Sequence, residues 1–238
     1  MLDDIKNENV LFLDIETVPL SSDFKSLLKN YQDLWTEKSK TFRDEKPADE
    51  VYERAGIYAE FGKIICISVG IITEKPERKL RIKSFYGDNE KELLERFFVL
   101  LNKHFFRSDN VFCAHNGKEF DYPYIARRGL INGLKLPVLL DNSGKKPWEI
   151  KHLDTLELWK FGDYKHYTSL NLLTAVFNIP SPKDDISGSD VAKVYYQEKN
   201  LPRIVQYCEK DVLAVVQLYL RYKGESLLPE DKVEKVEA

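Results

Sequence analysis

Two hydrophobic periods alternate along this chain, and together they outline a mixed α/β fold. Val10-Leu11-Phe12-Leu13-Asp14-Ile15-Glu16-Thr17-Val18 is an apolar run of strand length, free of breakers, that carries two acids near its end. Lys63 to Ile72 is wholly apolar and β-branched over its centre, which predicts a buried strand. Leu80 to Phe85 alternates with period two, and the Lys75-Pro76-Glu77 turn before it predicts an antiparallel hairpin. Val111 to Ala114 is a further short strand, and His152 to Thr155 ends another.

Between these strands the spacing becomes helical. Asn89 to Phe106 places Leu93, Leu94, Phe97, Phe98, Leu100 and Leu101 on one face. A helix is expected to run past Asp121 towards Arg128, with Gly129 or Gly133 able to end it. Thr168 or Ser169 can cap a helix over Leu170 to Phe177, and Ser189 to Glu198 reads as helical. Pro202 suits the first turn of a last long helix, Arg203 to Arg221. Pro137 to Pro147, and the segment marked by Pro180, Pro182 and Gly188, read as loops. Ser21 to Glu60 is an excursion with helical spacing at Leu27, Leu28, Tyr31, Leu34 and Trp35; after Pro47, Ala48 to Tyr58 turns helical again. It reads as a covering flap, with a substrate-shaping role as the alternative. One domain is therefore expected over residues 1–224, with a helical insertion at about 20–60 and a charged, frayed tail over 225–238.

The acids change the picture. On a strand, Asp14 and Glu16 leave the same face about 6–7 Å apart. Two like charges on a buried strand raise each other's pKa and lose hydration, and a divalent cation held by oxygen relieves both effects. Taken alone, Asp-x-Glu also fits an exposed strand end running into a loop. Asp121 falls near the start of a helix that follows a strand, where sites gather in α/β sheets. Tyr207 and Asp211 are one helical turn apart and share a face beside Ile204, Cys208, Val212, Val215 and Tyr219, so Asp211 lies at the margin of a buried stripe.

In this order and on these elements, the motifs DIET (Asp14 to Thr17), AHNGKEFDYPYI (Ala114 to Ile125) and YCEKDV (Tyr207 to Val212) resemble the DEDD 3′→5′ exonucleases in their tyrosine-bearing subclass. The histidine subclass has its His five residues before the last Asp, where this chain has Gln206. The resemblance spans nearly the whole chain. It is nearest to stand-alone bacterial proteins that look like the exonuclease domain of B-family DNA polymerases, and the remaining residues leave no room for a polymerase. It implies an RNase H-like fold, a five-stranded mixed β-sheet flanked by α-helices, and two divalent metal ions, Mg²⁺ or Mn²⁺. It also implies that Asp14 bridges the metals, that Glu16 and Asp211 complete one site, and that Asp121 supports the other through water. Tyr207 would orient or deprotonate the attacking water, and with an unperturbed tyrosine pKa of about 10 it reads mainly as an orienter. Thr17 and Asn116 match positions near the 3′-terminal nucleotide.

The expected activity is hydrolysis from the 3′ end of single-stranded DNA, with RNA as the alternative substrate. The reading from another class is a nuclease-like module that binds nucleic acid without cutting it. A formal net charge of −3 across 238 residues requires that any nucleic-acid contact come from a local patch or through metal ions. One such patch is Lys145 to Thr168, where Lys145, Lys146, Lys151, Lys160 and Lys165 interleave with Trp148, Trp159, Phe161, Tyr164 and Tyr167. It suits a single strand, or ordinary ring packing under a solvated lysine face. Asp154 is expected to be a structural cap, His115 and His166 hydrogen-bonded bystanders, and Lys118, Arg127 and Arg128 either phosphate attractors or a helix coat. Cys66, Cys113 and Cys208 show neither zinc nor disulfide spacing and fit a reducing, cytoplasmic setting. No stretch reads as a signal peptide or membrane helix.

Overall fold

Residues 2–163, 167–180 and 185–236 are described by a computed structural model. Tyr164, Lys165, His166 and Pro182, singled out above, lie outside the described residues. In chain order the main elements are β1 (Val10–Pro19), α1 (Lys29–Ser39), β2 (Gly62–Thr73), β3 (Lys79–Tyr86), α2 (Glu90–His104), β4 (Val111–Ala114), α3 (Asp121–Ile131), β5 (Leu153–Asp154), α4 (Thr155–Lys160), α5 (Leu170–Val176), α6 (Val191–Lys193), α7 (Leu201–Tyr222) and β6 (Val233–Val236). The strands form one mixed sheet in the order β5-β4-β1-β2-β3-β6. β1 pairs antiparallel with β2 and parallel with β4, and the β2–β3 pair is the expected antiparallel hairpin.

Alternation along β1 divides the core in two. Leu11, Leu13 and Ile15 pack with α2 and α3 through Leu93, Leu94, Phe97 and Ile125. Val10 and Phe12 face α7, packing with Val212, Val215, Val216 and Tyr219. Asp14 and Glu16 continue this second face, so period two carries the acids towards α7. Across from Glu16 the register slips: Glu16 pairs with Cys66 and Thr17 with Ile64. Ile65 and Cys66 consequently both turn to the α7 side, Ile65 against Tyr207 and Cys66 against Cys208. A bulge of this kind re-aims side chains beside a site.

Four expectations need correction. The tail is not frayed through residue 236. Gln217 exchanges two hydrogen bonds with the backbone of Leu228 (2.7 and 2.9 Å), and β6 adds a sixth strand parallel to β3. Unpaired edge groups on β3, and ion pairs such as Lys79–Glu234 at 2.7 Å, hold a segment whose composition reads as solvated. In the insertion, α1 begins after Leu28, so Leu28 and Leu34 are exposed while Trp35 is buried, its indole N–H donating to Ala48 O at 2.9 Å. The second helical stretch is a 3₁₀ segment, Tyr52–Ile57. Arg128 neither coats a helix nor meets solvent: it is buried against Glu90, with Nε donating to Oε1 at 2.8 Å and Nη1 to Ala59 O at 2.8 Å.

Glu90 also accepts from Ile64 N (2.7 Å) and Asn132 Nδ2 (2.9 Å), so this ion pair joins α2, α3 and β2 beneath the sheet. Gly133, at φ +72, ends α3, whereas Gly129 lies inside the helix. All three cysteines are free and buried. Among the described residues no helix is long and apolar enough to cross a membrane. Removing one partner of a buried pair strands the other charge, so Arg128→Met is expected to destabilise the fold by about 3–5 kcal/mol. Denaturant unfolding measures this, and adding Glu90→Gln should recover part of the loss.

Candidate active site

The predicted residues converge where β1 meets the first half of α7. Asp14, Glu16, Thr17, Tyr207 and Asp211 line one cavity of about 490 Å³. Asp14 is half-buried, and Glu16, Tyr207 and Asp211 are buried. Pro202 in the first turn, and an Asn200 side chain that accepts from Arg203 N, start the helix that supplies Tyr207 and Asp211. The i,i+4 spacing then aims both at the acidic half of β1.

Asp121 arrives from the opposite face of the sheet. β4 pairs β1 only as far as Phe12, which leaves the β1 edge beyond it open. Asp121 opens α3 and takes the Ile15 backbone N–H, and it lies close enough to feel the charges of Asp211 and Asp154. It is buried behind the cavity wall rather than lining it.

The electrostatics follow from crowding in a low dielectric. Burial raises the Asp14 pKa well above the usual carboxylate range, and Asp211, Glu16 and Asp121 push it the same way. Burial likewise raises Asp121 to about 8, with hydrogen bonds from its own and the Ile15 backbone opposing the rise. Burial raises the Tyr207 phenol further above its usual range, followed by the charges of Asp211, Glu16 and Asp14. Tyr207 is therefore a hydrogen-bond donor at neutral pH. The donor set is rich in hard carboxylate oxygens, with too much like charge to ionise fully alone, and it fits divalent cations of the Mg²⁺ and Mn²⁺ type.

One neighbour was not anticipated in this role. The Cys208 thiol lies 3.3 Å from both Oδ2 and the backbone O of Asp14. Among the described residues, Asp14, Glu16 and Cys208 bring ligand atoms within 4.8 Å of one another. The signal was present, since Cys208 directly follows Tyr207, but it read as an apolar member of the helix stripe. The insertion, for which a substrate-shaping role is the alternative reading, contributes residues not singled out in the sequence: Glu53, Arg54, Gly56 and Ile57 form part of the cavity wall, as does Phe120.

Asn116 is not brought into the cavity lining. It occupies a left-handed turn (φ 63), and its backbone N–H donates to Asp154 Oδ1 at 2.9 Å. Asp154 also caps α4 through Leu156 N and Glu157 N, the structural role expected of it. His115 is held by Thr155 Oγ1 (2.9 Å) and Thr168 O (3.0 Å), and Lys118 is paired with Glu157 at 2.7 Å. Arg127 is exposed. In the lysine-aromatic stretch Trp159 packs on Phe177 and Tyr222, whereas Trp148, Phe161 and Tyr167 are exposed.

Known proteins with similar sequences include DNA polymerases. The DNA polymerase of Pyrococcus glycovorans is 22% identical over 143 residues, which cover 55% of this chain and 18% of that protein. The DNA polymerase of Thermococcus litoralis is 22% identical over 178 residues, covering 67% of this chain and 10% of that one. The solved family B DNA polymerase of Pyrobaculum calidifontis superposes with a TM-score of 0.56 at 16% identity, covering 89% of this chain and 24% of that one. The chain thus spans under a quarter of each of these polymerases, and the structural likeness carries the fold. A family model described as a predicted 3′-5′ exonuclease related to the exonuclease domain of PolB matches residues 57–235. With its acids gathered on an RNase H-like sheet and three-quarters of its length matched, the chain belongs to this PolB-related exonuclease family.

Proposed function

We propose that this protein is a metal-dependent 3′→5′ exonuclease that removes nucleotides from single-stranded DNA ends. The observation that supports this reading best is the shared cavity of Asp14, Glu16, Tyr207 and Asp211, with Asp121 behind it. Asp14, Glu16 and Asp211 would hold two divalent ions, with Asp121 supporting the second through water. Bound there, such ions activate water as a nucleophile and stabilise the departing 3′-oxygen. Tyr207, a hydrogen-bond donor in the metal-free site, would orient the attacking water by hydrogen bonding. Thr17 flanks the terminal nucleotide, its Oγ1 donating to Gly56 O at 2.8 Å with lone pairs left to accept, whereas Asn116, outside the cavity lining, keeps only the place that the family resemblance gives it. The exposed rings of Trp148, Phe161 and Tyr167, with Lys146 5.3 Å over Trp148, suit the stacked bases of a single strand.

End-labelled single strands incubated with Mn²⁺ or Mg²⁺ test the reading: shortening in single-nucleotide steps from the 3′ end is expected. Retention of the strand without cleavage would instead favour a binding module, and parallel RNA strands report the sugar preference. Asp14→Ala should abolish cleavage. Tyr207→Phe should lower kcat by about a hundredfold or less while leaving metal affinity, measured by calorimetry, nearly unchanged.

The raised carboxylates also set a pH dependence. Unfolded aspartates titrate near 3.9, whereas Asp121 titrates at about 8 in the fold and Asp14 is raised too. Between those values the native state binds more protons than the unfolded one, so stability falls as pH rises. Metal-free protein should therefore lose Tm from about pH 4 to 8 at this site. Mg²⁺ or Mn²⁺ should raise Tm more at pH 8 than at pH 5; one bound ion at a hundredfold excess over its Kd adds about 2.7 kcal/mol of stability. A metal effect independent of pH in differential scanning fluorimetry would refute it.

A further inference from the structure

We propose that Arg54 binds a backbone phosphate of the substrate strand on the 5′ side of the scissile one, so that the 20–60 insertion selects polynucleotide strands over single nucleotide esters. This rests on the exonuclease reading above. Among the described residues lining the cavity, Arg54 carries the only positive charge, in a wall that includes Asp14, Glu16, Glu53 and Asp211. A phosphate chain entering past these acids is repelled, and the protein's net charge of −3 supplies no general attraction. Cations that Asp14, Glu16 and Asp211 would hold are placed to serve the scissile phosphate only. Arg54 stands on the insertion's side of the cavity and offers the next phosphate a cationic contact there.

Its position is fixed by the fold. Arg54 belongs to the 3₁₀ segment Tyr52–Ile57, which is seated on β1. Two residues on, the Gly56 carbonyl accepts from both Thr17 Oγ1 and Tyr124 Oη, each at 2.8 Å. A Cβ at Gly56 would approach the Val18 carbonyl carbon and Pro19 Cδ to 3.2 Å, so the close seating depends on glycine. From outside, the insertion's own small core of Trp35, Tyr52, Ala55 and Phe61 supports the segment. The Arg54 guanidinium lies 4.4 Å over the Phe42 ring, and Phe42 stacks on Tyr58 at 5.8 Å and 14°. Stacking occupies the face of the guanidinium and leaves its rim of N–H donors for a planar, two-point grip on phosphate oxygens. It also holds the long side chain in place before the ligand arrives.

The test compares two substrates at fixed Mn²⁺: a single-stranded oligonucleotide, and the p-nitrophenyl ester of thymidine 5′-monophosphate, which has only the scissile phosphate. Arg54→Gln keeps the stem and a planar head over Phe42 but removes the charge. It should lower the ratio of kcat/KM for oligonucleotide over ester about tenfold, chiefly through KM. The slope of log(kcat/KM) against log salt for the oligonucleotide should flatten by about 0.7, the effect of one lost phosphate contact on a single strand. Arg54→Lys should restore the slope but only part of the ratio. A Gln variant with wild-type unfolding midpoint, ratio and slope overturns the inference and leaves the exonuclease reading standing. Should that midpoint drop, Arg54→Lys decides: slope and ratio both at the Gln level overturn the inference. Wild-type protein that hydrolyses neither substrate overturns both.

Discussion

Everything in this fold turns on holding carboxylates together on the inner face of a sheet. Asp14 and Glu16 occupy positions where the alternation of β1 would otherwise place apolar side chains against α7. The helix meets them with Asp211 rather than with a base. Such an arrangement is stable without added charge only if protons remain on some of the acids, and burial with mutual repulsion raises Asp14 and Asp121 accordingly. The neighbouring groups accommodate this state. Cys208, a thiol that burial keeps protonated, approaches Asp14, and the Ile15 N–H is left over by a short β4 and given to Asp121. A site that holds protons in this way is prepared to exchange them for cations.

The surrounding structure limits how the acids can move. The bulge opposite Glu16 turns Ile65 and Cys66 together towards α7, filling the space beneath Tyr207 and Cys208. On the other face, the Glu90–Arg128 pair ties β2 and α2 to α3, the helix that opens with Asp121. The insertion closes the cavity from the side and is anchored to the residue after Glu16 through the bond between Thr17 and Gly56. Each of these features is apolar burial or a satisfied hydrogen bond next to the charged cluster, and each fixes one side of it.

The parts of this arrangement legible in the sequence are those governed by a local period. Asp-x-Glu on an apolar strand and Tyr-x3-Asp on an amphipathic helix specify their faces without knowledge of the rest of the chain. The hairpin, the Asp154 cap and the Ser169 cap are short-range in the same sense. What escaped was decided by contacts between distant segments. Arg128 reads as a surface charge until Glu90, on another helix, is beside it. β6 reads as a solvated tail because its partner edge on β3 lies some 150 positions earlier in the chain. Leu28 and Leu34 fit a helical stripe, yet the insertion packs around Trp35 and leaves them outside. Arg54 carries no pattern of its own and Cys208 reads as one more member of the apolar stripe; both gain meaning only from the acids they adjoin.

This contrast bears on how the site's tasks are divided. The acids are bound to the central sheet and last helix, the most deeply buried elements, where a displacement of one residue in register would turn them away from each other. The insertion has a separate core of aromatic rings and is seated at Gly56, whose carbonyl accepts from Thr17 of β1 and Tyr124 of α3. Its sequence can therefore vary without disturbing the register of β1, provided Gly56 retains its close approach. Negative groups that must converge within a few ångströms belong on the rigid sheet. A positive group proposed to guide a strand tolerates a looser mount, because attraction to a phosphate falls off gradually with distance while the geometry of ligation does not.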